Sequence, residues 1–233
     1  MAVTNCRNGA ATRNGRSIKA ECVGCVGLPC EKAIPESDCV WYKVAFAQKV
    51  KAASVPKQFI GKTFAEYEKT PDNSEALQIA KWYLAEKPKR SLYFYGAVGT
   101  GKTFLVSLIA QEFITAGKRV IFGDVPSLLQ RIKATFDGAG NAQDVLDSYY
   151  KCDLLILDDI GAGQITDWNI GIIYQIINSR YNDQKPILVT SNFDLDGLQK
   201  RLGRGDELTA ERITSRLCEM CYFAFFGLND RRK

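Results

Sequence analysis

The residues Gly96-Ala97-Val98-Gly99-Thr100-Gly101-Lys102-Thr103 fit the pattern G-x-x-x-x-G-K-[ST] in full. In such a loop Gly96, Gly99, Thr100 and Gly101 let the backbone N–H groups wrap a phosphate chain. Lys102 reaches the β/γ oxygens, and the Thr103 hydroxyl ligates Mg²⁺. A helix beginning at this point adds a partial positive charge. Farther along, Leu154-Leu155-Ile156-Leu157-Asp158-Asp159 is an apolar run that ends in two carboxylates. At the C-terminal end of a buried strand, where α/β sheets bind ligands, Asp158 would hold the Mg²⁺ shell and Asp159 would orient or polarise a water. An Asp-Asp pair can instead merely cap the next segment, but the phosphate loop upstream favours the metal role. The expected ligand is Mg-ATP.

The strand expected at 187–190 runs into Ser191-Asn192, which puts an amide beside the Asp158 strand. There it could hold the water or the γ-phosphate, or serve as a plain turn residue. In Glu211-Arg212-Ile213-Thr214-Ser215-Arg216-Leu217 the two arginines share a helix face. They suit a finger inserted into a neighbouring subunit's ATP site, or form an ordinary solvated pair. Cys22-x2-Cys25-x4-Cys30-x8-Cys39 offers four thiolates to a segment with little core. Zn²⁺ is the expected staple, with an iron–sulfur cluster or free thiols as alternatives and Cys6 as a substitute ligand. Cys218 and Cys221, placed on a strand, would face opposite sides and read as core thiols. Arg131, Lys133 and Phe136 supply cations and an aromatic for a DNA strand, or the solvated charges and core phenylalanine of an amphipathic helix.

With 233 residues, 46% of them hydrophobic and 24% charged, the chain has room for one full domain plus an appendage. Histidine is absent, which excludes histidine-based acids, bases, metal ligands and most hydrolase triads. The net charge of +5 permits an anionic partner without demanding one. No apolar run approaches the length of a membrane span, and the N-terminus lacks a signal core. No membrane partner is expected, and the expected location is cytoplasmic. Residues 1–50 read as a Cys-rich, zinc-binding interaction module and 51–71 as an extended linker anchored by Phe59, Ile60 and Phe64. Residues 72–233 read as a nucleotide-binding domain. There, strands expected at 92–95, 120–122, 154–157, 187–190 and 221–226 alternate with helices at 72–84, 103–116, 126–136, 142–150 and 167–183, and with two within 195–217. Asp72 or Asn73 would cap the first helix. Such alternation implies a mainly parallel sheet covered on both faces, an α/β fold.

The phosphate loop, the apolar-Asp-Asp-Ile-Gly run, Thr190-Ser191-Asn192 and Arg212-x-x-Ser215-Arg216-Leu217 come in one characteristic order. In that order they resemble the AAA+ ATPases of the bacterial replicative-helicase loader family, which includes the DnaC and DnaI types and the IstB transposition helpers. The likeness covers roughly residues 55–232, including Ser91-Leu92-Tyr93, Thr166-Asp167-Trp168 and Ser179-Arg180-Tyr181, with a looser match at 227–232. It implies a five-stranded sheet of order 5-1-4-3-2, ATP-dependent self-assembly, single-stranded DNA binding and delivery of a replicative helicase onto DNA. By position it makes Lys102 and Thr103 the loop contacts, Asp158 and Asp159 the Mg²⁺ and water pair, Asn192 the sensor and Arg216 the trans finger, with Arg212 beside it. The chain ends soon after the last strand, so no helical lid is expected. Initiator-type relatives carry a DNA-facing helix where 125–150 falls, and in several loaders a small N-terminal domain grips the helicase. The likeness departs at Gly163, where many relatives carry an acidic residue, so ATP hydrolysis is expected to be slow and stimulated by assembly or DNA. A transposition helper and a nucleotide-gated adaptor with little hydrolysis are the alternative functions.

Overall fold

Five short apolar runs become the strands of one parallel sheet. They are β1 (Ser91–Tyr95), β2 (Val120–Asp124), β3 (Leu154–Ile160), β4 (Ile187–Ser191) and β5 (Cys221–Phe225). The computed structural model describes residues 40–86, 90–138 and 140–230, so Cys22, Cys25, Cys30 and Cys39 lie outside the described residues. The strand order is β2-β3-β4-β1-β5, all neighbours parallel. This is the 5-1-4-3-2 order expected from the family likeness.

Alternate strand residues point to opposite faces, and each face has its own core. Leu92, Phe94, Phe122, Ile156 and Leu188 pack under α1 (Val40–Ala52), α2 (Ser74–Glu86) and α3 (Lys102–Thr115). Tyr93, Leu155, Leu157 and Val189 pack on the other face. That face is covered by α4 (Val125–Ala134), α5 (Ala142–Lys151), α6 (Asp167–Asn182), α7 (Leu195–Leu202) and α8 (Glu207–Met220). Strands buried on both sides explain why the sequence shows continuous apolar runs. No helix among the described residues is long and apolar enough to cross a membrane.

Four expectations are corrected. The stretch read as an extended linker begins inside α1, which runs across the expected division at residue 50, and Val50, Ala53 and Val55 are buried in the core. Beyond it the chain makes short 3-10 turns at Lys57–Phe59, Phe64–Glu66 and Pro71–Asn73. The cause is local: the Glu66 carboxylate accepts from the Thr63 amide at 2.9 Å, and the Asn73 side chain accepts from the Thr70 amide at 2.8 Å. Asp72 and Asn73 therefore sit inside a turn ahead of α2 rather than at its cap. Cys218 lies exposed in the last turn of α8, and only Cys221 belongs to a strand, where it is buried. Phe136 is no core residue; it is 67% exposed.

Two side chains pin the layers. Gln111 on α3 donates to Phe59 O at 2.9 Å and accepts from the Gly61 amide at 2.7 Å, fastening the turn segment to the helix after the phosphate loop. Arg180 on α6 is wholly buried, donating to Tyr149 O at 2.8 Å, Cys152 O at 3.1 Å and Pro186 O at 2.6 Å. It joins the end of α5 to the start of β4.

Candidate functional site

The phosphate loop leaves β1 and enters α3, the context its sequence requires. Two glycines make the path possible. Gly101 has φ 96°, a left-handed value at the N-cap of α3. A Cβ at Gly96 would lie 2.9 Å from Gly227 O, because the chain leaving β5 passes against the start of the loop. That passage is also bonded, Ala97 N donating to Gly227 O at 3.1 Å.

Lys102 is buried, and its ammonium donates to Gly96 O at 2.8 Å, to Ala97 O at 2.7 Å and to Asn192 Oδ1 at 3.1 Å. The Asn192 amide in turn donates to Asp159 Oδ1 at 2.9 Å. Asn192 therefore bridges the loop lysine and the second carboxylate. The Thr103 hydroxyl stands 3.1 Å from both oxygens of Asp158. A hydroxyl beside a buried carboxylate is the oxygen donor pair that a hard cation such as Mg²⁺ takes. The Thr190 hydroxyl donates to Asp158 Oδ1 at 2.6 Å and accepts from the Asp159 amide at 2.8 Å.

These groups line one cleft of about 600 Å³, closed on another side by Gln58, Phe59 and Phe104. Phe59 stacks on Phe104 with centroids 4.8 Å apart. A cleft of this size suits a nucleotide, and its residues fit ATP with Mg²⁺: backbone N–H groups and an ammonium for phosphates, hydroxyl and carboxylate for the cation. Gln58, Phe104, Asp124 and Thr190 join the expected set as new members. Thr190 sits two residues before Asn192, where a hydroxyl following the apolar Ile187-Leu188-Val189 was the readable signal.

Burial pushes the Asp158 carboxyl above the ordinary carboxylate range; the Thr190 and Thr103 hydroxyls pull it back, while Asp159 and Asp124 push it further. Burial raises Asp159 too, against Lys102, which lowers it. A carboxyl raised in the folded state favours folding below its unfolded pKa, and that benefit is lost as pH rises through the folded value. At neutral pH the ligand-free fold therefore carries a carboxylate it would be steadier without. Asp158→Asn is expected to raise the melting temperature of the ligand-free chain at pH 7, by about 1 kcal/mol in stability, while abolishing the Mg²⁺-dependent gain in nucleotide affinity. The stability gap should close as pH falls into the ordinary carboxylate range. A lower melting temperature for the ligand-free variant would refute this.

Neither Arg212 nor Arg216 lines this cleft. Arg216 is half-buried and held by its own chain: Nε donates to Asn178 Oδ1 at 2.7 Å, Nη2 to Tyr174 OH at 3.2 Å, and the guanidinium lies over the Tyr174 ring. Arg212, one turn earlier on α8, is exposed. Lys133 and Phe136 gather around one further side chain, Trp168. The lysine ammonium is 4.8 Å from the indole centroid, and the Phe136 ring meets it edge-on at 6.3 Å. Arg131 is exposed on α4 nearby in sequence. At the departure point, Arg201 donates to Gly161 O at 3.0 Å and Gly163 O at 2.6 Å, so the loop after Asp159 is held through its backbone.

A family model described as IstB-like ATP binding protein matches residues 40–232. The replicative helicase loader DnaC of Buchnera aphidicola (subsp. Schizaphis graminum) is 29% identical over 170 residues, 71% of this chain and 66% of that protein. The replicative helicase loader DnaI of Bacillus subtilis is 25% identical over 215 residues, covering 88% of this chain and 66% of the relative. The chain thus spans just under two thirds of the length of both curated relatives. A crystal structure of DnaI superposes with a TM-score of 0.63 at 26% identity, covering 75% of this chain and 94% of that one.

Proposed function

This chain belongs to the IstB-like ATP-binding protein family, and from that premise we propose that it is an ATPase that loads a replicative DNA helicase onto single-stranded DNA. The observation that carries the reading is one cleft holding Lys102, Thr103, Asp158, Asp159 and Asn192, in a chain whose curated relatives are named replicative helicase loaders.

In this reading the loop amides and the N-terminus of α3 bind the phosphates. Lys102 exchanges its carbonyl acceptors for phosphate oxygens. Thr103 and Asp158 hold Mg²⁺, which when bound neutralises charge on the β- and γ-phosphates. Asp159 accepts a hydrogen bond from the attacking water and orients it, while Asn192 fixes that carboxylate through Nδ2 and senses the γ-phosphate side through Lys102. Arg212 and Arg216 act on a neighbouring subunit's site. Lys133, Phe136 and Trp168, with Arg131, supply a surface for single-stranded DNA, since a cation beside an exposed aromatic edge suits phosphate contact and base stacking. The residues before α1 form a module stapled by zinc on Cys22, Cys25, Cys30 and Cys39, which grips the helicase. Because α1 belongs to the ATPase core, the division falls near Val40 rather than at residue 50.

Co-purification with the host replicative helicase tests this. The full chain should retain the helicase, whereas a fragment beginning at Val40 should bind ATP and lose it. Changing Cys22 and Cys25 to serine should release about one zinc per chain and the helicase together. Helicase capture by the fragment as strong as by the full chain would overturn the module. Capture of a transposase instead would make the chain a transposition helper. ATP turnover that stays undetectable with and without single-stranded DNA would make it a nucleotide-gated adaptor.

A further inference from the structure

Strands β3 and β4 pair in register through Leu157 and Val189, and then the register shifts so that Ile160 faces Ser191. One extra residue is therefore accommodated on β3, at Asp158-Asp159, opposite Thr190 alone. Such a bulge re-aims side chains beside functional sites and leaves an amide without its ladder partner. Here Asp159 takes φ 55°, a left-handed value for a residue with a side chain. Its amide is recovered by the Thr190 hydroxyl at 2.8 Å, and the same hydroxyl reaches Asp158 Oδ1 at 2.6 Å. The direction of both bonds is forced. An amide can only donate and a carboxylate can only accept, so the hydroxyl proton points at Asp158 and an oxygen lone pair faces Asp159. Thr190 is 1% exposed, so water does not compete for either bond. Ser191 closes the shifted register from the next position, donating to Ile160 O at 2.9 Å.

We propose that Thr190 is the positioning residue that couples the two carboxylates, holding Asp159 in its left-handed conformation and turning Asp158 so that its carboxylate faces the Thr103 hydroxyl. The inference rests on reading the cleft as an Mg-ATP site. Through one hydroxyl, a change at the cation-holding carboxylate is transmitted to the backbone of the water-orienting one. Packing alone cannot do this: valine has the same branched shape and an equal fit to a buried strand, but it carries no hydroxyl.

The test compares the native chain, Thr190→Val and Thr190→Ser, each titrated with a fluorescent ATP analogue in EDTA and then in MgCl₂, with kcat measured alongside. In EDTA the valine variant should bind within about twofold of native, while its affinity gain from Mg²⁺ and its kcat each fall by about 10-fold or more, the usual effect of removing a residue that orients a ligand. The serine variant, with the hydroxyl restored, should recover both to within about threefold. A valine variant with the native Mg²⁺ gain and kcat overturns the proposal, as does a serine variant that fails as badly as valine. If the native chain shows no turnover but valine still removes the Mg²⁺ gain, the hydrolysis reading fails and the role of Thr190 stands. If valine prevents folding, Thr190→Ala is titrated in its place against the same serine control.

Discussion

Lys102→Ala is expected to weaken ATP binding at least about tenfold, on the order of 1.4 kcal/mol, and to lower turnover further. The ammonium is buried at the floor of the cleft and contacts both the loop carbonyls and Asn192. Alanine removes the cation facing the γ-phosphate, and it also cuts the bridge that runs through Asn192 to Asp159. The loss should therefore appear in kcat as well as in affinity, because the orienting carboxylate is left with one restraint fewer. Calorimetric titration with ATP and a steady-state phosphate assay read the two effects separately. Unchanged binding and turnover would remove Lys102 from the site, and with it the assignment of the cleft.

The second large effect is expected at the paired arginines. Arginine fingers contribute about 10³–10⁵ in rate, so on the proposed trans role Arg212→Ala and Arg216→Ala should each cut assembly-dependent turnover about a hundredfold or more while leaving ATP binding by the monomer near normal. The two can be told apart by stability. Arg216 is tied to Asn178 and Tyr174, so its alanine variant should also melt earlier, by about 1 kcal/mol for the lost bonds. Arg212 is exposed, and its variant should melt as the native chain does. Mixing either arginine variant with Asp159→Asn subunits should restore part of the activity, since hybrid interfaces pair an intact finger with an intact cleft. If every mixture stays inactive while the folds are sound, the trans role fails for both residues.

The parts of this molecule that could be read from sequence are those where one residue type has one physical use. The phosphate loop needs its glycines and lysine whatever surrounds them. The three inner strands β1, β3 and β4, buried on both faces, could hardly be anything but largely apolar runs. Helix α1 was missed because its apolar residues do not gather on one stripe, so periodicity has nothing to detect. The turns at Phe64–Glu66 and Pro71–Asn73 were readable in principle, since Thr63 and Thr70 each precede a reach-back residue by three positions. Thr190 lay in view between an apolar strand and Asn192, but its importance comes from a register shift with β3, a pairing between distant segments that no local pattern encodes. Phe136 is a similar case: whether an aromatic at that position is core or surface depends on Trp168, which arrives from another helix.

Arg180 carries a consequence for how the molecule meets changing surroundings. Its positive charge is balanced by carbonyl dipoles of Tyr149, Cys152 and Pro186, and it makes no ion pair among the described residues. A backbone carbonyl does not titrate, and buried dipoles are poorly screened by dissolved ions. A guanidinium stays protonated throughout the range in which proteins work, and its rigid fork reaches several acceptors at once. Arg180's hold on the corner where α5 meets β4 is thus indifferent to acidity and ionic strength. The cleft, built on carboxylates, is not. The two ends of the sheet are thus held differently: carboxylates face the nucleotide at one, while at the other a permanently charged guanidinium is bound to backbone dipoles.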